Sequence, residues 1–426
     1  MLSLRRKINE ISRIMIKILI NKLGRVRDAE IEVKPFMVFT GDSGLGKSYT
    51  AFLVDHVHQC LDGKRTEAFI RERLQLISNE KNPRVDFSFT LGDLRTWMES
   101  DVERHLRYLT GNQALQLSIG YEFGLPDEMA FSFSFSENGD PNYCKLTFNG
   151  ATNSYPKDYF NWPKLYAELL AGELRVSVAE GVGVMNSVLL PPARAAFMGA
   201  RNAKPAFESI GMYSDFIALL DTLHSATLYD TDEEDILRTV NLLCEGDLVT
   251  REGQTFLRLP DGQTEIPISA AASSSKELAA FCLLMLRAEK IDDYSILFEE
   301  PEAHVHPMKQ NRVADAIVRC RRRGTQFQIT THSDYLLSRL NQLLRIGKLG
   351  QTDEARFNEF CVTSHHDPNL YLLPEEVGAY FFREGAGGLV SIERQDAADG
   401  IPFTTFHDIV TQQERVDDQI ETMMGG

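Results

Sequence analysis

The hydrophobic pattern of the chain changes period several times, and each change marks a segment. Met15-Ile16-Lys17-Ile18-Leu19-Ile20 is a short apolar run, closed by Asn21-Lys22 and followed by Gly24. Ala29-Glu30-Ile31-Glu32-Val33 then alternates with a period of two, as a half-buried strand does. Pro35-Phe36-Met37-Val38-Phe39-Thr40 is a third β-prone run and ends on a glycine. From about residue 56 to 110 the spacing turns helical, through Phe69-Ile70, Leu74, Leu76-Ile77, Leu91, Leu94, Trp97-Met98, Val102, Leu106 and Leu109, with Asn82-Pro83 breaking the two halves. Alternation returns in Leu115-Leu117-Ile119-Tyr121-Phe123, in Phe131-Phe133-Phe135 and from Tyr143 to Phe148. The turn residues Leu125-Pro126-Asp127 and Glu137 to Pro141 separate these runs, and together they predict an antiparallel meander.

The second half of the chain alternates between the two classes. A helix is predicted near residues 157–172, then a strand, Ser187-Val188-Leu189-Leu190, running into the turn Pro191-Pro192-Ala193-Arg194. Helices follow at 210–226 and 232–244, the second opened by the acidic Thr231-Asp232-Glu233-Glu234-Asp235. A hairpin (Leu248-Val249-Thr250 and Thr255 to Leu259, turned at Glu252-Gly253) leads to Ser273-Ser274-Ser275, where the serines read as N-caps of an apolar helix containing Leu278, Phe281 and Leu284-Met285. Tyr294-Ser295-Ile296-Leu297-Phe298 is a buried strand, Gly324 to Ser333 another strand, Val377 to Arg383 and Leu389 to Ile392 a hairpin, and 404–422 a terminal helix. No heptad pattern is sustained long enough for extended coiled-coil arms.

Three of these strands deliver chemistry. The third β-run passes into Gly41-Asp42-Ser43-Gly44-Leu45-Gly46-Lys47-Ser48, which fits G-x-x-x-x-G-K-[ST] at every fixed position, and Tyr49-Thr50-Ala51-Phe52-Leu53-Val54 opens a helix behind it. Glycines at these positions let backbone N–H groups turn inward around phosphate oxygens, and the helix N-terminus adds partial positive charge. Gly41, Asp42, Ser43, Gly44, Leu45, Gly46, Lys47, Ser48 and Tyr49 are therefore the candidate phosphate-binding residues. Lys47 is placed to reach the β- and γ-phosphates of ATP and Ser48 to hold Mg²⁺. The run 294–298 ends in Glu299-Glu300: the first acid is a candidate for Mg²⁺, the second for polarising an attacking water. The strand 324–333 ends in Thr330-Thr331-His332-Ser333, which makes His332 a candidate γ-phosphate contact, with a polar helix cap as the bland alternative.

Composition narrows the setting. The net charge of −16 excludes a surface that is basic overall. Residues 1–40 and 309–323 are locally basic; the second stretch (Lys309, Arg312, Arg319, Arg321 to Arg323) reads either as a solvated helix face or as a nucleic-acid patch. Six scattered cysteines without a C-x-x-C pair fit a reducing cytoplasm and neither a disulfide framework nor a zinc site. No apolar run reaches the ~18–20 residues of a membrane helix, and no leader pattern is present. Phe131, Phe133 and Phe135 read as a buried sheet face before a base-stacking platform, and His365-His366-Asp367 as a polar loop before a metal site.

The phosphate loop, the serine-led helix, Phe298-Glu299-Glu300-Pro301-Glu302-Ala303-His304-Val305-His306-Pro307 and Thr330 to Ser333, in that order, resemble the bacterial ABC-type, AAA-like ATPases, the branch that includes OLD-type ATPases and relates to SMC and RecF heads. The resemblance implies an α/β fold: an ABC-type P-loop NTPase head with an inserted helical and antiparallel β region. It divides the chain into a basic extension (1–14), the N-terminal part of the head (15–62), the insert (63–185) and the C-terminal part of the head (186–426). It implies ATP and Mg²⁺ as ligands, Glu299 as the Mg²⁺-associated acid, Glu300 as the catalytic glutamate and His332 as a catalytic switch histidine.

It further implies a homodimer or higher oligomer, in which Ser273 and Ser274 of one head complete the site of the other. Ser274 departs from the family, which has a glycine after its serine. The lid glutamine is open among Gln75, Gln113 and Gln116, and Arg194 is open between site residue and structural turn. No nuclease domain is evident after Leu340. The expectation is a cytoplasmic ATPase that dimerises on ATP and controls a separate effector, a nuclease in a bacterial anti-phage system. The alternatives are a DNA-binding repair or chromosome ATPase and a nucleotide-gated scaffold that does not hydrolyse ATP.

Overall fold

The computed structural model describes residues 16–77, 84–159, 161–178, 184–198, 210–224, 233–251, 253–288, 290–402 and 405–424. The basic extension and the acidic opening Thr231-Asp232 therefore lie outside the described residues.

A nine-stranded sheet organises the molecule, in the order β5-β1-β2-β16-β15-β3-β14-β13-β9. Its strands are β1 (Lys17–Leu23), β2 (Val26–Glu32), β3 (Phe36–Gly41), β5 (Leu117–Glu122), β9 (Asn186–Leu190), β13 (Tyr294–Glu299), β14 (Gln326–Thr330), β15 (Val377–Glu384) and β16 (Val390–Gln395). Five neighbours, β15-β3-β14-β13-β9, run parallel, while β1, β2 and β5 form an antiparallel flank. The parallel strands are covered on both faces, which is why they read as unbroken apolar runs. In β3, Met37 and Phe39 face one core and Phe36 and Val38 the other; Leu297 and its neighbours Ile296 and Phe298 divide in the same way on β13.

One core is roofed by α1 (Lys47–Leu61), α2 (Thr66–Ile77), α3 (Leu91–Thr110) and α4 (Trp162–Val178). The other is roofed by α5 (Gly211–Leu223), α6 (Glu234–Cys244), α7 (Ser273–Arg287), α8 (Pro307–Arg323) and α9 (Asp334–Thr352), with α10 (Glu354–Thr363) beyond α9. Two of these, α9 and α10, fill a stretch to which the hydrophobic pattern assigned no element. Local signals set the ends. Thr90 and Asp93 form a reciprocal capping box for α3, Ser333 caps α9, and Pro307 opens α8.

A second, four-stranded antiparallel sheet, β4-β6-β7-β8, is built from β4 (Phe87–Thr90), β6 (Ala130–Glu137), β7 (Tyr143–Phe148) and β8 (Ala151–Pro156). Its inner face is aromatic. Phe133 stacks on Phe87 at 4.8 Å and on Phe148 at 4.5 Å, and Tyr166 of α4 closes over it at 5.0 Å. Phe131 and Phe133 are buried, so this stripe is core and not a platform for bases.

The expected meander is corrected at one strand. Residues 117–122 do not join β6 and β7 but pair antiparallel with β1 at the edge of the main sheet. Ile119 and Tyr121 there find the same core as Ile18 and Ile20, which a local alternation pattern does not distinguish from a hairpin partner.

The basic helix is spent internally. Arg323 pairs with Glu233 and Asp292, Arg321 and Arg322 with Glu376, and Arg319 with Asp367; Arg322 also stacks on Tyr371 at 4.1 Å. Asp367, read with His365 and His366 as a polar loop, is thus an arginine partner. Among the described residues no group of His, Cys, Asp and Glu is arranged to hold a metal ion by itself. No described helix is long and apolar enough to cross a membrane, and all six cysteines are buried thiols.

Candidate functional site

The carboxyl ends of β3, β14 and β13 lie in one row: Phe39 is level with Thr330, and Thr330 with Glu299. Ligands of open parallel sheets bind at such ends, and here the row places the glycine loop, the paired acids and the strand-ending histidine around one point.

The loop needs its glycines for two different reasons. A Cβ on Gly41 would stand 2.4 Å from the carbonyl oxygen of Phe382 on β15, and Gly46, at φ 96°, enters α1 in the left-handed region. Lys47 follows, buried, with its ammonium donating to the carbonyls of Gly41 (2.9 Å) and Asp42 (2.7 Å). Burial lowers its pKa to about 8, against the opposing pull of Glu300, Asp42, Glu302 and Glu299. The lysine thus bonds its own loop where anionic oxygens would satisfy it better. Asp42, Ser43 and Gly44 are exposed at the loop tip and Leu45 is buried beneath it. Tyr49 turns away: its ring packs on Phe52 and its hydroxyl accepts from Asn112 at 3.4 Å.

Ser48 is hydrogen-bonded to Glu299, which burial raises to about pKa 7. Glu299 is 2% exposed, and its Oε1 has no hydrogen-bond partner. A buried carboxylate with one oxygen unpaired, next to a hydroxyl, fits a divalent cation held by oxygen ligands. The residues present therefore fit Mg²⁺, with Ser48 and Glu299 as its holders.

Glu300 is half-buried beside them, at φ 44°, a strained conformation for a side chain with a Cβ. Two contacts hold it there. Its N–H donates to Thr330 O (3.0 Å), and its carbonyl accepts from Arg194 (3.1 Å). Arg194 resolves into a structural residue. It is fully buried and also donates to the carbonyls of Pro191 (2.7 Å), Glu299 (2.6 Å) and Glu277 (3.1 Å), while its guanidinium lies 4.8 Å from the Phe298 ring. It is a positioning residue for both acids.

His332 stands over the loop, with Nε2 3.5 Å from Ser43 Oγ; burial and the Lys47 charge lower its pKa. Glu302 sets this segment, its Oε1 accepting from Thr331 Oγ1 (2.7 Å) and from the His332 N–H (2.8 Å). Burial raises its pKa. Sequence reasoning assigned Glu302 no role, although it lies within the run that carries the resemblance. Arg25 has no local signal at all: from the β1–β2 turn it donates to Gly44 O at 3.0 Å and pairs with Glu384 at 2.7 Å.

Ser273 and Ser274 stand apart. The N-cap of α7 is Ala272, without a side-chain cap, so the serines occupy the first helical turn and are not caps. The correction has a simple cause: Ser275 is drawn inward to bond Cys244 O at 3.0 Å, which starts the helix one residue early. Ser273 is exposed, and Ser274 accepts from Lys309 at 3.3 Å. Of the three glutamines, Gln113 and Gln116 lie on the α3–β5 connection, which reaches the loop region through Asn112–Tyr49 and through the Gly24 N–H on Gln116 O (3.3 Å). Gln75 is exposed on α2.

Residues 174–338 match the family described as "AAA domain, putative AbiEii toxin, Type IV TA system". No curated protein matches the chain in sequence. Among solved structures, an SMC head bound to the C-terminal winged-helix domain of ScpA has a TM-score of 0.39 and 11% identity over 90% of this chain and 98% of that one. The SMC head domain from Thermotoga maritima has a TM-score of 0.33 and 12% identity, covering 89% and 98%. An SMC head with an extended coiled coil, bound to the C-terminal domain of ScpA derived from Pyrococcus furiosus, has a TM-score of 0.34 and 11% identity, covering 95% and 99%. The family match runs from α4 through α7 and β13 into α9, and so includes the paired acids and the strand-ending histidine that gather with the glycine loop on the parallel sheet.

Proposed function

We propose that the chain binds ATP with Mg²⁺, hydrolyses it, and dimerises head to head when ATP is bound, relaying that state to a separate effector. The observation that carries the reading is the juxtaposition of Lys47, Ser48, Glu299, Glu300 and His332 around one loop, with Ser273 and Ser274 turned outward on α7. Lys47 and the loop N–H groups would hold the phosphates, and Ser48 with Glu299 would hold Mg²⁺, which when bound supplies charge neutralisation. Glu300 would orient a water and take its proton. His332, from above the loop, would report whether the terminal phosphate is present.

Dimerisation rests on the α7 start. Uncapped backbone N–H groups and an exposed serine at a helix N-terminus fit an anion that none of the described residues brings to them. A second head, facing the first, would bring one. The effector reading rests on the resemblance, on the toxin–antitoxin wording of the matched family, and on β15 and β16 completing the head sheet after His332. A nuclease in a bacterial anti-phage system, acting in the cytoplasm, is the form we favour.

The test uses Glu300→Gln, which should bind ATP, stop turning over and accumulate a dimer in light scattering. A Glu300→Gln protein that stays monomeric at saturating ATP sinks the dimer; wild-type protein without turnover leaves a nucleotide-gated scaffold. Co-purification from the native operon tests for the effector.

A further inference from the structure

Helices α6, α8 and α9 and the turn after α10 line an open cavity of 990 Å³. It is not the phosphate-loop site. Helices α8 and α9 start near the carboxyl ends of the strands, at Pro307 and Asp334. Arg319 and Arg345, which line the cavity, lie roughly 16–18 Å further along those helices.

Four arginines line the cavity: Arg238, Arg319, Arg339 and Arg345. Arg319 is paired with Asp367, and Arg339 with Asp315 at 2.7 Å. Arg238 and Arg345 differ from them, for neither guanidinium makes an ion pair or a hydrogen bond with a described residue. The third acid of the cavity, Asp235, lies in the first turn of α6, where the helix dipole already favours a carboxylate, and it does not bond Arg238 one turn on.

Two unpaired cations in one cavity are out of place in a chain with 61 Asp and Glu against 45 Lys and Arg. Neighbouring arginines show the usual outcome: Arg321, Arg322 and Arg323 of α8 each find an acid. Guanidinium groups left unpaired together fit a dianion, and phosphate matches their fork in both charge and geometry. Part of the wall is apolar. Leu242, Ile346, Leu370 and the Phe360 ring, on which His366 packs at 5.5 Å, line the same cavity. An apolar wall with a few converging polar groups, at this volume, suits a small organic molecule. A nucleic-acid strand needs a continuous basic track, and the next arginines along α8 are already spent.

We propose that this cavity is a second ligand site, for a phosphate-bearing small molecule whose phosphate binds Arg238 and Arg345 and whose uncharged part lies against Phe360 and Leu370.

Inorganic pyrophosphate, titrated into the full Lys47→Ala chain in a calorimeter, tests this with the competing phosphate loop weakened. Adding Arg238→Gln with Arg345→Gln should weaken binding at least about tenfold. Both side chains are exposed and unpaired, so the denaturant midpoint should not move. Lys145→Gln with Lys164→Gln removes the same charge from exposed positions on β7 and α4 and should change binding less than about twofold. The loop is identical in every chain compared, so the result stands whether or not that loop binds ATP. Absence of pyrophosphate binding, binding indifferent to the arginine pair, or equal weakening by the lysine pair would each overturn the proposal. A single-stranded oligonucleotide that binds more tightly than pyrophosphate, and is lost with the same arginine pair, would overturn it in favour of a nucleic-acid groove.

Discussion

Around Gly41 to Ser48 the chain supplies nearly everything from within itself, whereas the start of α7 is left open. The loop side has a lysine already bonded to two carbonyls, two acids whose backbone carbonyls are gripped by one guanidinium, and a histidine set by Glu302. On the other side are an uncapped helix, an exposed Ser273 and a Ser274 tied to Lys309. The contrast separates chemistry from control. Residues proposed to hold phosphate and cation in fixed geometry are over-determined by neighbours, while those proposed to meet a second head are held by few contacts. Changes on the loop side should thus abolish function or fold, and changes at α7 should only shift a threshold.

The largest effect is expected from the loop side. Lys47→Ala should abolish ATP binding in calorimetry, and Glu300→Gln should lower turnover by about 10²–10⁴-fold, the range of a lost general base, with ATP affinity retained. A Glu300→Gln enzyme with unchanged turnover would move the base elsewhere, to Glu302 first.

Arg194 comes next, and its cost falls on stability. Removing it leaves Glu277 buried, where neither carboxylate oxygen has a hydrogen-bond partner, and releases the carbonyls of Glu299 and Glu300. Arg194→Ala should cost about 3–5 kcal/mol in denaturant unfolding, as for a broken buried pair. Arg194→Lys should recover part of that stability but not the turnover, because an ammonium cannot reach four carbonyls in a fork.

How much of this was legible in the sequence depends on the range of the contacts. Strand, loop and helix at 36–61 are written locally, since a β-prone run, three glycines and an apolar-periodic stretch need no distant partner to be recognised. The acids and His332 were legible as strand ends, because buried parallel strands announce themselves as short apolar runs. Arg194 was not, because its partners lie up to 106 residues away and are main-chain carbonyls, which carry no sequence signal. The same holds for β5, which pairs with β1 across the insert, and for Arg25, which reaches Gly44 from the neighbouring strand turn. At α7 the error was one of register: three serines look like caps until Ser275 is seen to turn inward.

The core beneath α1 offers a pH test of the loop side. His58 is fully buried, accepts from Gln328 at 3.1 Å, and has its pKa lowered from 6.5 to about 4 by burial. The unfolded chain therefore takes up a proton below pH 6.5 that the folded chain refuses until about pH 4. Stability from this group is fully present above pH 6.5 and falls as the pH drops towards 4. Between pH 7 and 5 the loss should be about 2 kcal/mol. Denaturant midpoints of wild type and His58→Gln should converge as the pH is lowered through that window; parallel curves would show that His58 is already charged in the fold.

The smallest effect should come from the open side, and it bears most directly on the contrast. Ser274 is the proposed departure from the glycine of the resembled family, and its hydroxyl is held by Lys309, which also pairs with Glu245 at 3.4 Å. Ser274→Gly restores the family residue, frees the lysine and lets a facing phosphate approach the backbone more closely. It also costs a few tenths of a kcal/mol in a first helical turn. In a Glu300→Gln background, Ser274→Gly should lower the ATP concentration needed for dimerisation by a few-fold, on the order of 1 kcal/mol, without changing ATP affinity at protein concentrations too low for dimers. If both quantities move together, Ser274 reports on its own chain's loop, and α7 belongs with the closed half of the site. If only the dimer threshold moves, the second head is what α7 was left open to receive.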